Sequence, residues 1–350
     1  MSADPVPATA LSEWLRAEVP EVKVGDGPVA VDRISGGHSN LTYRITDAAG
    51  TPFALRRPPL GMVLATAHDM GREWRFISAL APYDVPVAPP VAFCRDTDVI
   101  GAEFYIMGFV DGEVLGDADS GHRLAEGEPR TTAGLDTADV LAALHAVDPD
   151  TAGLSDFRRD GSYIERQLRR WHRQVHASSL TDLEIVDAAH ERLTARAAAL
   201  PPSDVRIAHG DYRPGNLAYG SDGRVRAIFD WELATLGDPL ADLGWLLASW
   251  GRPADTVRVT IEGPNQVDGY PDGDALVAGT PSAPAATSAT STSTSPSPAG
   301  ARPASRQACT AATRAARSAR ARGRRPRTAS TACTCRPRRP TTPWPDAQER

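Results

Sequence analysis

Between Ala278 and Pro343 the chain contains no Leu, Ile, Val, Phe, Tyr, Met, Asp, Glu, Lys, Asn or His; it is written in Ala, Thr, Ser, Pro, Arg, Gly and Cys, with one Gln. Such a tract cannot bury enough apolar surface to offset the entropy of ordering it, so residues 278–350 are expected to form a disordered tail. Whatever folds must therefore fold from the residues before it, which suffice for one large domain or two lobes. The break also has a reading at the level of the gene. Ala, Pro, Thr and most Ser codons carry C at the second position, and Arg, Gly and Cys codons carry G. A GC-rich gene, which one Lys against 37 Arg suggests, yields this composition when its wobble base is read as the second base. A frame that leaves its ancestral register near Val277 is one hypothesis, and a genuine low-complexity tail is the other. Sequencing the coding DNA across Gly273–Gly300 decides between them; without an in-frame alternative the first is lost.

The net charge of −6 hides an asymmetry. From Ala301 onward 13 Arg face only Asp346 and Glu349, which leaves 25 basic and 42 acidic residues before it, a balance of −17. An acidic body does not suggest a nucleic-acid partner. Cys94, Cys309, Cys333 and Cys335 form neither a disulfide framework nor a zinc-ligand spacing with His partners. The opening MSADPVPATALSEWL lacks a basic stretch and an apolar stretch, so no signal peptide is expected. No apolar run approaches the roughly 18–20 residues that span a bilayer. A cytoplasmic protein without membrane partners is the expectation.

Along the chain, residues 10–18 suggest an amphipathic helix. PVAVDRI (28–34), LTYRIT (41–46) and PFALRR (52–57) suggest strands, with SGGHSN and DAAG as the intervening loop and turn. In TAHDMGREWRFISAL (66–80), Met70, Trp74, Ile77 and Leu80 recur at helical spacing. PPVAFC and EFYIMGFV suggest two further strands. Five strands with a helix after the third imply a small, mostly antiparallel α+β unit over residues 1–109. From 110 to 277 the pattern turns helical, with helices expected over 137–147, 162–176, 183–200 and from Pro239 to Trp250, and short strands in VRIAHGDYRPGN and RVRAIFDW. The boundary between the two lobes falls near Val110–Gly116.

The chemistry is concentrated in IAHGDYRPGNLAYG (207–220) and IFDWELATLGDPLADLGWL (228–246). A phosphoryl transfer needs a group to orient or deprotonate the acceptor hydroxyl, ligands for Mg²⁺, a cation on the phosphates and backbone covering them. Asp211 and Asn216, five apart in a loop after a strand, let one carboxylate face a substrate while an amide oxygen turns to a metal. Asp230, behind the apolar strand VRAIF, supplies an anionic second ligand, and oxygen ligands suit Mg²⁺.

These stretches resemble the protein-kinase-like phosphotransferases, in particular the aminoglycoside/choline kinase-like family with its His-Gly-Asp-x4-Asn loop. GGHSNLTYRI, LRRPP, AHDMGREWRFISAL, HGDYRPGN and DWELATLGDPLADLGWLL are similar to the kinase-like domains associated with acyl-CoA dehydrogenases, in the right order from about Leu11 to Val277. The resemblance implies a two-lobed protein-kinase-like α+β fold and transfer of the γ-phosphoryl group of ATP, with Mg²⁺, to a small-molecule hydroxyl acceptor. It makes Asp211 the catalytic base, Asn216 and Asp230 the Mg²⁺ ligands, and Arg213 the cation near the γ-phosphate. Gly36, Gly37, His38, Ser39 and Asn40 become the phosphate-covering loop, Glu73 the helix carboxylate that pairs with the third-strand cation, and Met107, in FYIMGF, part of the hinge that binds adenine through its backbone. Asp242 would hold the catalytic loop from below. The third-strand lysine of most kinases is absent, and Lys23 lies too early to replace it. Arg56 or Arg57 must take its place, and strand alternation, with Phe53 and Leu55 on one face and Ala54 and Arg56 on the other, favours Arg56. Relatives also use helices after DLGWLL to complete the second lobe, so an incomplete lobe is expected here.

The resemblance also suggests a hydroxylated acyl acceptor such as a hydroxyacyl-CoA. An aminoglycoside acceptor is one alternative, and a catalytically silent nucleotide-binding protein is another. His209 is expected to be structural, since Asp211 suffices as a base. Glu232 is expected either to assist the metal or to bond nearby backbone. His145, His172, His176 and His190 are expected as surface or core residues of helices, and Trp14, Trp74, Trp171, Trp245 and Trp250 as packing residues.

Overall fold

The computed structural model describes residues 6–34, 40–60, 69–178, 180–250 and 263–278; the expected disordered tail from 279 onward lies outside them. Helix α1 (Ala8–Glu18) precedes an antiparallel sheet of β1 (Ala30–Ile34), β2 (Leu41–Thr46), β3 (Pro52–Arg57), β4 (Pro90–Cys94) and β5 (Phe104–Gly108) in the order β1-β2-β3-β5-β4. Helix α2 (Met70–Leu80) follows β3, as the periodicity predicts, and begins at Asp69, whose side chain accepts the Arg72 amide hydrogen. An Asp at this position satisfies one of the unpaired amides of the first turn. The β2–β3 turn is closed by Asp47, whose carboxylate accepts from the amides of Ala49 and Thr51.

The two faces of β3 separate the core into two layers. Phe53 and Leu55 pack with Leu11, Leu15, Ile45, Phe104 and Ile106 beneath α1. Ala54 faces the other way and joins Phe76, Leu80, Tyr105 and Met107 in a cluster that continues through Leu141, Leu144, Tyr212, Trp231, Leu246 and Trp250. Each fully buried Leu or Phe contributes about 1.5–3 kcal/mol, so this second layer gives α2 a reason to stay seated against the rest of the chain.

Beyond β5 come β6 (Glu113–Val114), α3 (Ala118–Gly121), α4 (Glu128–Ala146), α5 (Tyr163–His176), α6 (Glu184–Ala198), β7 (Arg206–Ala208), β8 (Leu217–Tyr219), β9 (Val225–Ile228), β10 (Thr235–Gly237), α7 (Pro239–Trp250) and α8 (Gly273–Ala278). Helix α4 begins nine residues before the expected 137, because its first turns carry small and polar residues without an apolar period. Strands β6, β8 and β9 form one small sheet, and β7 pairs antiparallel with β10 in another. These short ladders present the β7–β8 and β9–β10 loops side by side. The β9 end is tied to the first lobe, where the Ile228 amide donates to the Pro86 carbonyl at 2.8 Å.

Candidate active site

The β7–β8 loop carries His209, Gly210 and Asp211. Asp242, on the first turn of α7 and 1% exposed, accepts from the amides of His209 (2.7 Å) and Gly210 (2.8 Å). His145 Nε2 lies 3.2 Å from the same carboxylate. Burial works to raise the Asp242 carboxyl, but His145, His209 and the Gly210 amide outweigh it and hold it below the ordinary Asp value. Gly210 has φ +85°, where an added Cβ would lie 2.8 Å from the Leu233 carbonyl oxygen; the turn needs glycine for both reasons. The Asp211 amide donates to His209 Nδ1 (3.2 Å), so Nε2 carries the hydrogen that His209 donates to the Phe229 carbonyl (2.9 Å). His209 is thereby engaged through both ring nitrogens as a strut between the two loops.

The Asp211 carboxylate is held from several directions, with its side chain 25% exposed. Trp245 Nε1 donates to Oδ1 at 2.6 Å, and Asn216 Nδ2 donates to Oδ2 at 2.8 Å. Arg213 Nε stands 3.4 Å from the carboxylate. Because Asn216 spends its amide nitrogen on Asp211, its Oδ1 is the end left to meet a cation. The Phe229 amide donates to the Asn216 carbonyl at 2.8 Å, which joins this loop to the one that carries Asp230.

Asp230 adopts φ 66° and ψ 62°, a left-handed conformation open to Asp at modest cost. Its side chain is 30% exposed. Carboxylate oxygens of Glu73, Asp230 and Glu232 lie within 4.8 Å of one another, and Arg56 binds into this group. Its Nε is 2.9 Å from Glu73 Oε2, and its Nη2 pairs with Asp230 Oδ1. Glu73, 0% exposed, also accepts from Asn40 Nδ2 at 2.7 Å and from the Tyr105 hydroxyl at 2.8 Å. Burial pushes the Glu73 carboxyl up, with the Arg56 charge pulling against it. The Tyr105 phenol, raised by burial and then by Glu73, remains a donor.

Helix α2 is fixed relative to these loops by Trp231, directly after Asp230. Its indole stacks on Phe76 (centroids 6.3 Å, 10° between planes) and lies 4.8 Å from the His209 ring. Arg75 forks onto Asp156 at 2.5 and 2.7 Å, and Arg72 reaches the Ala234 carbonyl.

Of the residues expected at the site, Asp211, Arg213 and Asn216 share one loop, and Arg56, Glu73, Asn40 and Asp230 meet in a second group. Arg57 takes no part: it is fully buried on the opposite face of β3 and donates to the Tyr43 hydroxyl and the Pro58 carbonyl. Asn40 holds Glu73, and Gly36, Gly37, His38 and Ser39 lie outside the described residues. Met107 sits on inner strand β5 opposite both Ala54 and Pro90, with its side chain in the core. Two contributors escape a residue-by-residue reading. Tyr105 pairs directly across from Arg56, a register that strand alternation could have supplied. Trp245, expected as packing, follows Asp242 by one helical turn and therefore faces the same loop.

The donor set suits a hard divalent cation, because Asn216 Oδ1 and the Asp230 carboxylate offer oxygen from two adjoining loops. Among the described residues no helix is long and apolar enough to cross a membrane.

The model of the phosphotransferase enzyme family matches residues 30–283. The chain is 38% identical over 223 residues to acyl-CoA dehydrogenase family member 11 of Gallus gallus, covering 63% of this chain and 28% of that protein. It thus spans little more than a quarter of that relative's length. The solved structure of "a putative aminoglycoside phosphotransferase" from Ralstonia eutropha JMP134 superposes with a TM-score of 0.63 at 33% identity, covering 78% of this chain and 79% of that one. The ADP-bound aminoglycoside phosphotransferase APH(2'')-Ib shares the fold, with a TM-score of 0.51 at 18% identity over 78% and 81% of the two chains. With the family model spanning well over half of its length, the chain belongs to the phosphotransferase enzyme family.

Proposed function

We propose that this phosphotransferase moves the γ-phosphoryl group of ATP to a hydroxyl of a small molecule, with Asp211 as the base. The observation that carries this reading is the setting of Asp211. It is a partly exposed carboxylate oriented by Trp245 and Asn216 on a loop pinned by buried Asp242. A group held in this way can accept the acceptor hydroxyl's proton without first reorganising. Asn216 and Asp230 would hold Mg²⁺, which when bound neutralises charge on the phosphates. Arg213 stands beside Asp211, where it would meet the transferred group. Arg56, oriented by Glu73, would contact the phosphates in place of a lysine through the Nη hydrogens that Glu73 and Asp230 leave. Adenine would lie along the main chain where it leaves β5 after Gly108, beside Met107. That a protein of the same fold is ADP-bound supports nucleotide as the donor.

For the acceptor, the name of the chicken relative supports a hydroxylated acyl compound such as a hydroxyacyl-CoA. The Ralstonia neighbour supports an aminoglycoside as the second reading. A coupled ADP-release assay with Mg·ATP against panels of both classes tests this. Turnover that depends on an acceptor and vanishes in Asp211→Asn is expected. Acceptor-dependent turnover that survives in Asp211→Asn would remove Asp211 from its role, and ATP binding without turnover on any acceptor would favour a silent nucleotide-binding protein.

A further inference from the structure

We propose that the α5–α6 hairpin carries a site for a zinc-class divalent ion, built from His172, His176 and Asp187 and separate from the phosphotransfer centre. His172 and His176 are one turn apart on α5, the spacing by which a helix offers two imidazoles from one face. Both point Nε2 at the same atom across the hairpin: His172 lies 2.7 Å and His176 2.6 Å from Asp187 Oδ1. The three ligand atoms lie within 4.8 Å of one another. His190, one turn after Asp187 on α6, stacks its ring on His172 at 4.1 Å with 21° between planes. The side chains of His172, His176 and Asp187 are 29%, 41% and 50% exposed, so an ion can reach them from solvent.

The plain alternative is a surface hydrogen-bond network, and two observations weigh against it. A network of this kind needs no more than one imidazole on the carboxylate, whereas here two imidazole nitrogens from one helix converge on a single Asp187 oxygen. A single ion meeting two imidazole nitrogens and a carboxylate oxygen uses the same convergence as coordination, with a fourth position open to water. Second, neither α5 nor α6 contains a buried residue. The two helices therefore lie side by side without the core burial that usually holds a pair together, and a shared ion would supply that cross-link. Nδ1 of each ligating histidine then faces away from the metal, free to orient the ring through a further partner.

The test is zinc titration of the chelator-stripped full chain by calorimetry, with Co²⁺ as a visible-absorption probe. Free thiols compete for zinc without forming a built site, so the titration is run with Cys309→Ser, Cys333→Ser and Cys335→Ser present throughout. One ion per chain is expected. Adding His172→Ala and His176→Ala should weaken binding by more than the roughly 10–100-fold that loss of an outer partner alone costs, and Asp187→Asn should weaken it similarly. Asp230→Asn, at the phosphotransfer centre, should leave it unchanged. All these hairpin positions are at least partly exposed, and circular dichroism verifies folding of each variant. Zinc affinity that is the same with and without the two histidines, or no zinc uptake by the folded chain, overturns the proposal.

Discussion

Arg56 and Asp230 lie 174 residues apart and meet side chain to side chain, so the third strand of the first lobe is joined to the loop that would hold a metal in the second. Glu73 takes Nε of the same guanidinium at 2.9 Å. One rigid fork therefore serves two carboxylates, which a lysine's single ammonium cannot reproduce. Arg56→Lys is expected to lower kcat/KM for nucleotide by about tenfold or more, which corresponds to roughly 1.4 kcal/mol. Arg56→Ala leaves Glu73 buried without its counter-charge and is expected to cost about 3–5 kcal/mol of stability. Urea unfolding checks the second expectation; an unchanged midpoint in Arg56→Ala would mean that the pair is not maintained in solution.

Trp245 donates its indole N–H to Asp211. Trp245→Phe keeps a large ring on the inner face of α7 and removes that donor. Hydrogen bonds to charged groups contribute about 1.5–3 kcal/mol, so kcat is expected to fall by about 10–100-fold while the KM for nucleotide stays as it is. Steady-state kinetics separate the two parameters. A fall in nucleotide affinity with kcat preserved would show that Trp245 packs and does not position.

What could be read in advance is what repeats locally. Alternation in PFALRR sorts Arg56 from Arg57, and the structure puts them on opposite faces of β3. The five-residue spacing of Asp211 and Asn216 matches one loop turn, and their side chains do meet. What stayed hidden depends on partners far along the chain. Tyr105 becomes a site residue only because β5 lies beside β3, and Trp245 only because α7 crosses beneath the β7–β8 loop. Strands β6 and β10, two and three residues long, are too short to show a period at all. The first turns of α4 lack one for another reason: their small residues face close neighbours, as where Gly134 meets Pro271 and Trp250.

Gly210 sits between the two residues whose positions matter most, His209 and Asp211. Gly210→Ala must hold φ near +85° and place a methyl against the Leu233 carbonyl. The left-handed conformation alone costs about 1–2 kcal/mol, and the contact adds to it because the neighbour is backbone and cannot swing aside. A lowered urea midpoint together with loss of turnover is expected. Wild-type stability in Gly210→Ala would show that the loop has another conformation available.

Asp242 links stability to pH in a direction that can be worked out. Its folded-state carboxyl is held below the ordinary value because His145, His209 and the Gly210 amide outweigh the effect of burial. The unfolded chain therefore binds this proton more readily than the folded one, and stability rises with pH across the interval between the two values. The contribution is fully present above the unfolded value of about 3.9 and is lost as pH falls through the folded value. At neutral pH, Asp242→Asn is expected to cost about 3 kcal/mol, since it removes a buried carboxylate that accepts from the amides of His209 and Gly210 and turns amide hydrogens toward one of these two donors. Below about pH 4 the wild type loses the same interaction, so the two unfolding midpoints should converge on acidification. Other carboxylates titrate alike in both proteins and drop out of the difference. A gap that stays constant from neutral to acid pH would mean that the Asp242 charge does not hold the loop, and that its packing alone does.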